Sequence, residues 1–292
     1  MTRYVFTATA GRSGQNYLSA LLRRHVPGAL VLFEEPQVRT ILPRPLDSYE
    51  RRFRRRFVET HELLGRGKVL DAFVAGDDAA LGRMAARRLA WIERRIARAK
   101  ADTYIDVSKY FIRGLHGPIA RALPGSTLIR LVRDPIRNMR SFLNRGKNIY
   151  LDNNPPDSRA NQLRLDPSTL SQGELYLWAW CEVYLRAQSL ADEGRVAKLL
   201  EIRTEELTDL AVMARHLDAL GLAHTPLSAG GPMNDNVAQG FGATLVADDD
   251  ITTFERFLDR LPADARQRID YFRGYDPRRL HGPVPTSFAA RA

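Results

Sequence analysis

The run Phe6-Thr7-Ala8-Thr9-Ala10-Gly11-Arg12-Ser13-Gly14-Gln15-Asn16 holds the residue types that bind an anion. Gly11 and Gly14 let backbone N–H groups converge without a Cβ in the way. A helix starting after them offers unpaired N–H groups and the positive end of its dipole, and Arg12 adds a full charge. A phosphate or sulfate suits that turn. It differs from the ATP-type P-loop, which needs Lys and then Ser or Thr directly after its second glycine, because Gln15 and Asn16 follow Gly14. No hydroxyl is placed there for magnesium. Gly11 and Gly14 also fit the second and third glycines of a dinucleotide fingerprint, with Thr9 in place of the first. Glu34 and Glu35 lie about twenty residues on, where an acidic ribose ligand belongs. A nicotinamide or nucleotide-sugar enzyme of the Rossmann type stays open at this point.

A second constellation follows the aliphatic run Thr127-Leu128-Ile129-Arg130-Leu131-Val132, which reads as a buried parallel strand. Arg133-Asp134-Pro135 ends that strand, and a helix is expected from Ile136 to about Arg145, with Asp134 as its cap and Pro135 in its first turn. Arg133 then stands at a strand's carboxyl end, while Ser141 and Arg145, four apart, share one helix face. One arginine fork, one hydroxyl and a second arginine can close on a single phosphate.

Taken together, the two segments resemble the sulfotransferases that use 3′-phosphoadenylyl sulfate (PAPS). Gly11-Arg12-Ser13-Gly14 is similar to their 5′-phosphosulfate loop, and Arg133-Asp134-Pro135 with Ser141 eight residues after the arginine is similar to their 3′-phosphate site. The resemblance covers roughly the first half of the chain, with an echo at Arg203-Thr204-Glu205-Glu206-Leu207 of a Tyr-Glu-Asp-Leu segment in that family. It implies a P-loop NTPase-like sulfotransferase architecture and a PAPS donor that leaves as adenosine 3′,5′-bisphosphate (PAP). Donor binding falls by resemblance to Gly11, Arg12, Ser13, Gly14, Gln15, Asn16, Arg133 and Ser141, with Arg145 assisting the 3′-phosphate. Two places depart from the family. Gln15 and Asn16 stand where it usually carries Thr or Ser, so hydroxyl contacts become amide or backbone contacts. Thr204 replaces an aromatic residue that often stacks near the adenine.

Sulfuryl transfer to a hydroxyl is close to phosphoryl transfer: its transition state is loose, and charge stabilisation with in-line positioning carries most of the work. A base must also take the acceptor's proton, and a glutamate can do so where burial raises its pKa. Leu30-Val31-Leu32-Phe33 reads as a short strand with Glu34-Glu35-Pro36 at its end, where open α/β sheets place their ligands. By resemblance to members with a Glu-Glu or Glu-Pro segment there, Glu35 is the expected base and Glu34 the second choice; without the flanking motifs either reads as a solvated loop acid. Lys109 follows the strand Thr103-Tyr104-Ile105-Asp106-Val107. The family carries a lysine at this place facing the bridging oxygen of the transferred group, so Lys109 and Arg12 are expected to stabilise the reacting centre. His116 is the other candidate base, against a structural role.

The elements that position these groups alternate strand and helix. Helices are expected over Gln15 to Arg24, Asp78 to about Lys100, Gln172 to Ala191 and Leu207 to Leu220, the last ended by Gly221, with a further strand at Ala197 to Ile202. The fold class is therefore α/β, a mainly parallel sheet with helices on both faces. At 292 residues and 44% hydrophobic, the chain suits one domain over 1–292, with helical insertions at about 37–100. The polar stretch over about 146–171, centred on Asn153-Asn154-Pro155-Pro156, reads either as a lid over the acceptor or as an unstructured segment. His224 to Asp250 is glycine-rich, and Asn234, Asn236 and Gly240 could form a loop over the nucleotide. The last forty residues read as two short helices and a proline-containing tail.

The formal net charge of +10 favours anions, suiting a doubly phosphorylated donor and an acidic acceptor, but also nucleic acid. Arg51-Arg52-Phe53-Arg54-Arg55-Arg56-Phe57 reads foremost as a solvated amphipathic helix, with an acceptor-gathering rim and a nucleic-acid surface as the other readings. No nucleic-acid module surrounds it, so no nucleic-acid partner is expected. Arg87, Arg88, Arg94 and Arg95 cover much of the rest of the helix over Asp78 to about Lys100, which reads as scaffold. Trp178 and Trp180 read as core residues, as does Cys181, the one cysteine, which cannot form an internal disulfide. Met1-Thr2-Arg3 runs straight into Tyr4-Val5-Phe6 without an apolar leader, and no run spans a bilayer, so a soluble, cytoplasmic protein is expected. Zinc-type Cys/His spacing and a His-Glu-x-x-His helix are both missing from the sequence, and no metal is expected. The sequence leaves the oligomeric state and the acceptor open.

Overall fold

The computed structural model describes residues 2–36, 46, 49–50, 53, 60–146, 154–229 and 245–281. Five strands, β1 (Arg3–Ala8), β2 (Ala29–Phe33), β3 (Thr103–Val107), β4 (Thr127–Val132) and β5 (Lys198–Arg203), form one sheet in the order β2-β3-β1-β4-β5. Every pairing is parallel, with Val5 beside Ile105 on one side and Thr127 on the other. From β1 the chain fills one half of the sheet through β2 and β3, then the other through β4 and β5. The order reverses at β1, where open parallel sheets leave a crevice at the strands' carboxyl ends.

The helices are α1 (Gln15–His25), α2 (Thr60–Leu64), α3 (Lys68–Ala75), α4 (Asp78–Ala99), α5 (His116–Ala122), α6 (Pro135–Leu143), α7 (Gln172–Asp192), α8 (Leu210–Ala219), α9 (Asp248–Arg260) and α10 (Ala263–Arg268). Alternation along the strands divides them between two faces. Val5, Val31, Ile105, Ile129 and Leu131 pack with Leu18 and Leu22 of α1 and Met213 and Leu217 of α8. Phe6, Leu32, Tyr104, Leu128 and Val132 share the other core with Ile92 of α4, Ile119 of α5, Trp178 of α7 and Phe254 of α9. The chain is thus the α/β protein expected, a parallel sheet covered on both sides.

Several local features depart from the sequence reading. A π-helical turn, Phe111–Leu115, follows Lys109 and Tyr110 and leads into α5. The segment read as one helix from Leu207 to Leu220 is α-helical only over α8, which Asp209 caps by accepting from Ala211 N and Val212 N, and a separate 3₁₀ turn at Thr204–Glu206 precedes it. Residues 154–171, the later part of the expected lid, are anchored: Glu182 accepts from Gln162 N at 3.0 Å and Leu163 N at 2.7 Å, and Trp178 Nε1 donates to Leu163 O. Of the Arg51–Phe57 run only Phe53 is described, 62% exposed. The rest of that run, Asn153 with 147–152, and Asn234, Asn236 and Gly240 lie outside the described residues.

α7 carries a buried ion pair, Arg186 Nε donating to Glu182 Oε1 at 2.6 Å. Arg186 also donates to Ile112 O and Arg113 O of the π-helical turn and to Asn161 Oδ1. One side chain therefore ties α7, the π-helical turn and residues 154–165 together. Replacing Arg186 with Met leaves Glu182 charged and buried, which destabilises by about 3–5 kcal/mol. Urea unfolding checks this, and a loss below about 1 kcal/mol would contradict the role given to the pair.

Candidate active site

After β1 the chain turns through left-handed backbone at Gly11 (φ 96°), Arg12 (φ 58°) and Gly14 (φ 80°). Glycine adopts that region freely, whereas Arg12 there costs about 1–3 kcal/mol and persists only where its surroundings fix it. They do. Asn138 Nδ2 donates to Gly11 O at 2.7 Å, Arg133 Nη1 donates to Arg12 O at 3.2 Å, and Thr204 Oγ1 lies 3.0 Å from Ser13 O. Thr204 Oγ1 is also 3.0 Å from Val132 O, so its one proton is shared between the loop after β1 and the end of β4. Three successive carbonyls are thus taken up by scaffold donors, which keeps electron-rich oxygens turned away from the inside of the turn, while Gly11 N donates to Thr9 Oγ1 at 3.2 Å.

The start of α1 completes the cradle. Its cap position is Gly14, which supplies no side-chain hydrogen bond, and no acidic residue stands in its first turn. A Cβ at Gly14 would run into Leu207 Cδ1. Gln15 is buried, and its Nε2 has no hydrogen-bond partner among the described residues. Asn16 follows, half-buried, in the same turn. An orphan amide donor beside uncapped helix N–H groups fits an anionic ligand.

Arg12 then reaches across to α6, where its Nε donates to Ser141 Oγ at 3.2 Å. The sequence reading assigned these two residues to opposite phosphates; the fold brings them into contact. Arg133 and Arg145 are also close enough to act on Arg12. Burial, then Arg145 and Arg133, hold its guanidinium down to about 10, and burial lowers that of Arg145. The two expected anion pockets form one continuous cationic cluster. α6 is held rigidly for the purpose. Asp134 caps it by accepting from Arg137 N and also accepts from Tyr275 Oη at 2.6 Å, while Arg140 grips Asp250 of α9 with two bonds of 2.8 and 2.6 Å. Trp180 Nε1 fixes Arg133 through its carbonyl at 2.9 Å.

Lys109 comes to the same edge from β3. Ser108 N donates to Thr7 Oγ1 at 2.8 Å, tying the end of β3 to β1. The Lys109 stem lies against Gly11, where a Cβ would come within 3.3 Å of Lys109 Cδ and 3.5 Å of Phe142 Cζ. Lys109 Nζ lies 3.5 Å from Glu34 Oε1 and 4.9 Å from the centre of the Tyr110 ring.

The adjacent carboxylates separate. Glu34, at φ 46°, turns to Lys109, whereas Glu35 Oε2 pairs with Arg95 Nη2 of α4 at 3.3 Å. Glu34, the second choice from sequence, is the one that joins Lys109. The His116 ring lies tilted against Phe73, centres 5.6 Å apart, and burial, with Arg186, Arg195 and Arg121, holds its imidazole well below the usual range and therefore neutral.

Sequence reading missed Asn138, Arg88 and the bracing role of Thr204. Asn138, 1% exposed, is three residues before Ser141 on α6, so the helical spacing that paired Ser141 with Arg145 was also a signal for it. Arg88 and Arg95 do more than cover a scaffold helix. Arg88 is buried against Asp106, and Arg95 meets Glu35.

Fold and site define an α/β protein with a glycine-containing strand-loop-helix junction at the centre of a parallel sheet, beside a cluster of three arginines. Among solved structures, the chain is similar to the sulfotransferase domain of the Synechococcus PCC 7002 olefin synthase, at 15% identity and a TM-score of 0.46, over 94% of this chain and 95% of that one. No family model matches the chain, and no curated protein matches it. At that identity and score the likeness carries no functional argument. Among the described residues, no cluster of His, Cys, Asp or Glu is placed to hold a metal ion, and no helix is long and apolar enough to cross a membrane.

The crowding of Arg12 has a measurable sign. Its folded pKa of about 10 lies below its ordinary value, so its charge burdens the ligand-free fold at neutral pH, and that burden lifts as pH rises through about 10. A bound anion relieves it earlier. Inorganic phosphate is expected to raise the melting temperature by about 2–6 °C more than chloride at equal ionic strength. Arg12→Gln removes that increment, and in the native protein the increment shrinks as pH passes about 10. Differential scanning calorimetry reads both; equal shifts with phosphate and chloride would exclude a specific site.

Proposed function

We propose that this chain is a sulfotransferase that moves a sulfuryl group from PAPS to a hydroxyl or amine of an acceptor. The observation that carries the reading is the contact of Arg12 with Ser141. It joins the glycine loop to the Arg133–Ser141–Arg145 group as one surface able to hold a doubly phosphorylated nucleotide. The loop N–H groups, Gln15, Asn16 and Arg12 take the 5′-phosphosulfate. Arg133, Ser141 and Arg145 take the 3′-phosphate.

In the proposed reaction the acceptor oxygen forms a bond to sulfur as the bond from sulfur to the bridging oxygen breaks. The electron pair of that bond stays on the bridging oxygen, now part of the 5′-phosphate of PAP, and the acceptor's proton passes to a carboxylate. Lys109 and Arg12 stabilise charge on the leaving phosphate and the transferring group, so fixed cations do the neutralising. Glu34 is the better base on geometry, because it faces Lys109 while the carboxylate of Glu35 is paired with Arg95.

A nicotinamide or nucleotide-sugar enzyme would use Gly11, Gly14 and Glu34 and leave Arg133 and Ser141 without a ligand. A non-enzymatic polyanion binder would rest on the net charge and the Arg51–Arg56 run. Isothermal titration with PAP, NAD and an oligonucleotide separates the three: selective binding of PAP supports the sulfotransferase, and salt-sensitive binding of the oligonucleotide alone rules it out. A screen of phenols, sugars, lipids and amines with radiolabelled PAPS then identifies the acceptor.

With that acceptor, Glu34→Gln is expected to lower kcat by roughly two to four orders of magnitude while PAP affinity stays within about twofold. Arg133→Ala is expected instead to weaken PAP binding by at least about tenfold. Full turnover by Glu34→Gln would move the proton to another group.

A further inference from the structure

Glu34 is one of three non-glycine residues with left-handed backbone in the described chain, at φ 46°. Such a conformation persists only where the surroundings over-determine it. Its own N–H reaches Val107 O at 3.3 Å, a long bond at the end of the β2–β3 ladder. The firmer hold is on the next residue. Arg88 Nη1 donates to Glu35 O at 2.5 Å, and Arg95 Nη2 meets the Glu35 carboxylate at 3.3 Å. Arg88 and Arg95, seven apart on α4, lie on Trp91 at 4.6 and 5.4 Å from its ring centre. Two turns of one helix thus hold Glu35 by both its backbone and its side chain.

Arg88 is itself built into the core. It is 2% exposed, and its Nη2 donates to Asp106 Oδ2 at 2.8 Å and lies 3.2 Å from Tyr104 Oη. Asp106, 3% exposed, is in β3 three residues before Lys109. The same guanidinium therefore holds the strand that delivers Lys109 and the turn that delivers Glu34. Only a planar fork with several N–H groups reaches a carboxylate, a phenol and a carbonyl in different directions. A buried ion pair is poor value for stability alone, since apolar residues of like volume serve as well or better.

We propose that Arg88 is a positioning residue, which by holding Glu35 O against Asp106 keeps Glu34 in its left-handed turn and directs its carboxylate to Lys109. This rests on the reading of Glu34 as the base in sulfuryl transfer. In that scheme Glu35 is the anchor of the turn, and the two neighbouring acids have divided roles.

The test is the full-length Arg88→Met, Asp106→Leu double variant, which removes both buried charges together and leaves neither unpaired. The expected result is a folded protein in which the Glu34 amide exchanges hydrogen about tenfold faster or more, while the amides of Ile105 and Val107 in β3 keep their protection. PAP affinity stays within about twofold and acceptor KM changes little, but kcat falls by roughly tenfold to a hundredfold, as a misplaced base requires. Unchanged exchange at Glu34, or faster exchange with full kcat, overturns the proposal. If the double variant does not fold, Arg88→Lys carries the same test, since it keeps a cation for Asp106 but cannot also reach Glu35 O. The two readings fail separately: faster exchange in a protein whose native form transfers no sulfuryl group leaves the clamp standing and removes the reaction assigned to it.

Discussion

Arg12, Arg133 and Arg145 repel one another, and much of the surrounding fold holds them together in spite of it. Like charges at such a spacing disperse to solvent unless their backbones are fixed, and each of the supporting elements contributes a fixed point. The carbonyl of Arg133 is pinned by the Trp180 indole, Asp134 next to it is shared between the cap of α6 and Tyr275, and α6 is bolted to α9 through Arg140 and Asp250. The glycine loop is braced through its carbonyls at Gly11, Arg12 and Ser13. Rigidity of this kind, supplied before any ligand arrives, would make the arrival of an anion favourable, since the cost of gathering positive charge is met by folding.

Local strain follows the same logic. Among the described residues, three non-glycine positions have left-handed backbone; Lys100 ends α4, and the other two, Arg12 and Glu34, carry groups of the candidate site. A strained backbone aims a side chain where relaxed geometry would not. It also makes the site depend on remote supports: Thr204 from the end of β5, Asn138 from α6 and Arg88 from α4 are each far from Gly11 and Glu34 in sequence.

The sequence made the sheet legible because each strand's residues alternate between two apolar faces and each is followed by a helix with one apolar stripe. Val5 and Phe6 face opposite cores, as do Ile105 and Tyr104, and this is the pattern of a parallel sheet buried on both sides. The glycine loop and the Arg133–Ser141 spacing were readable for a related reason, since both are local and each sits at a junction whose geometry its own residues dictate. What could not be read was which neighbour each group would meet. Nothing local decides that Arg88 and Arg95 face the sheet edge, because charged residues on a helix read as solvated until the opposing strand supplies an Asp106. Nor does spacing separate Glu34 from Glu35, whose directions are set by a single dihedral angle and by arginines more than fifty residues away. The merging of two anion pockets into one depended on the length of Arg12's side chain and on the order in which β1 and β4 pair.

The methylene stem of Lys109 rests on Gly11, and that contact couples two positions that no helix or turn connects. A Cβ added at position 11 would make that stem give way by a few tenths of an ångström, and a shorter cation at 109 would lose the contact. The glycine is therefore demanded twice over, first by a torsion that strains any side chain there and then by the packing of its partner's stem.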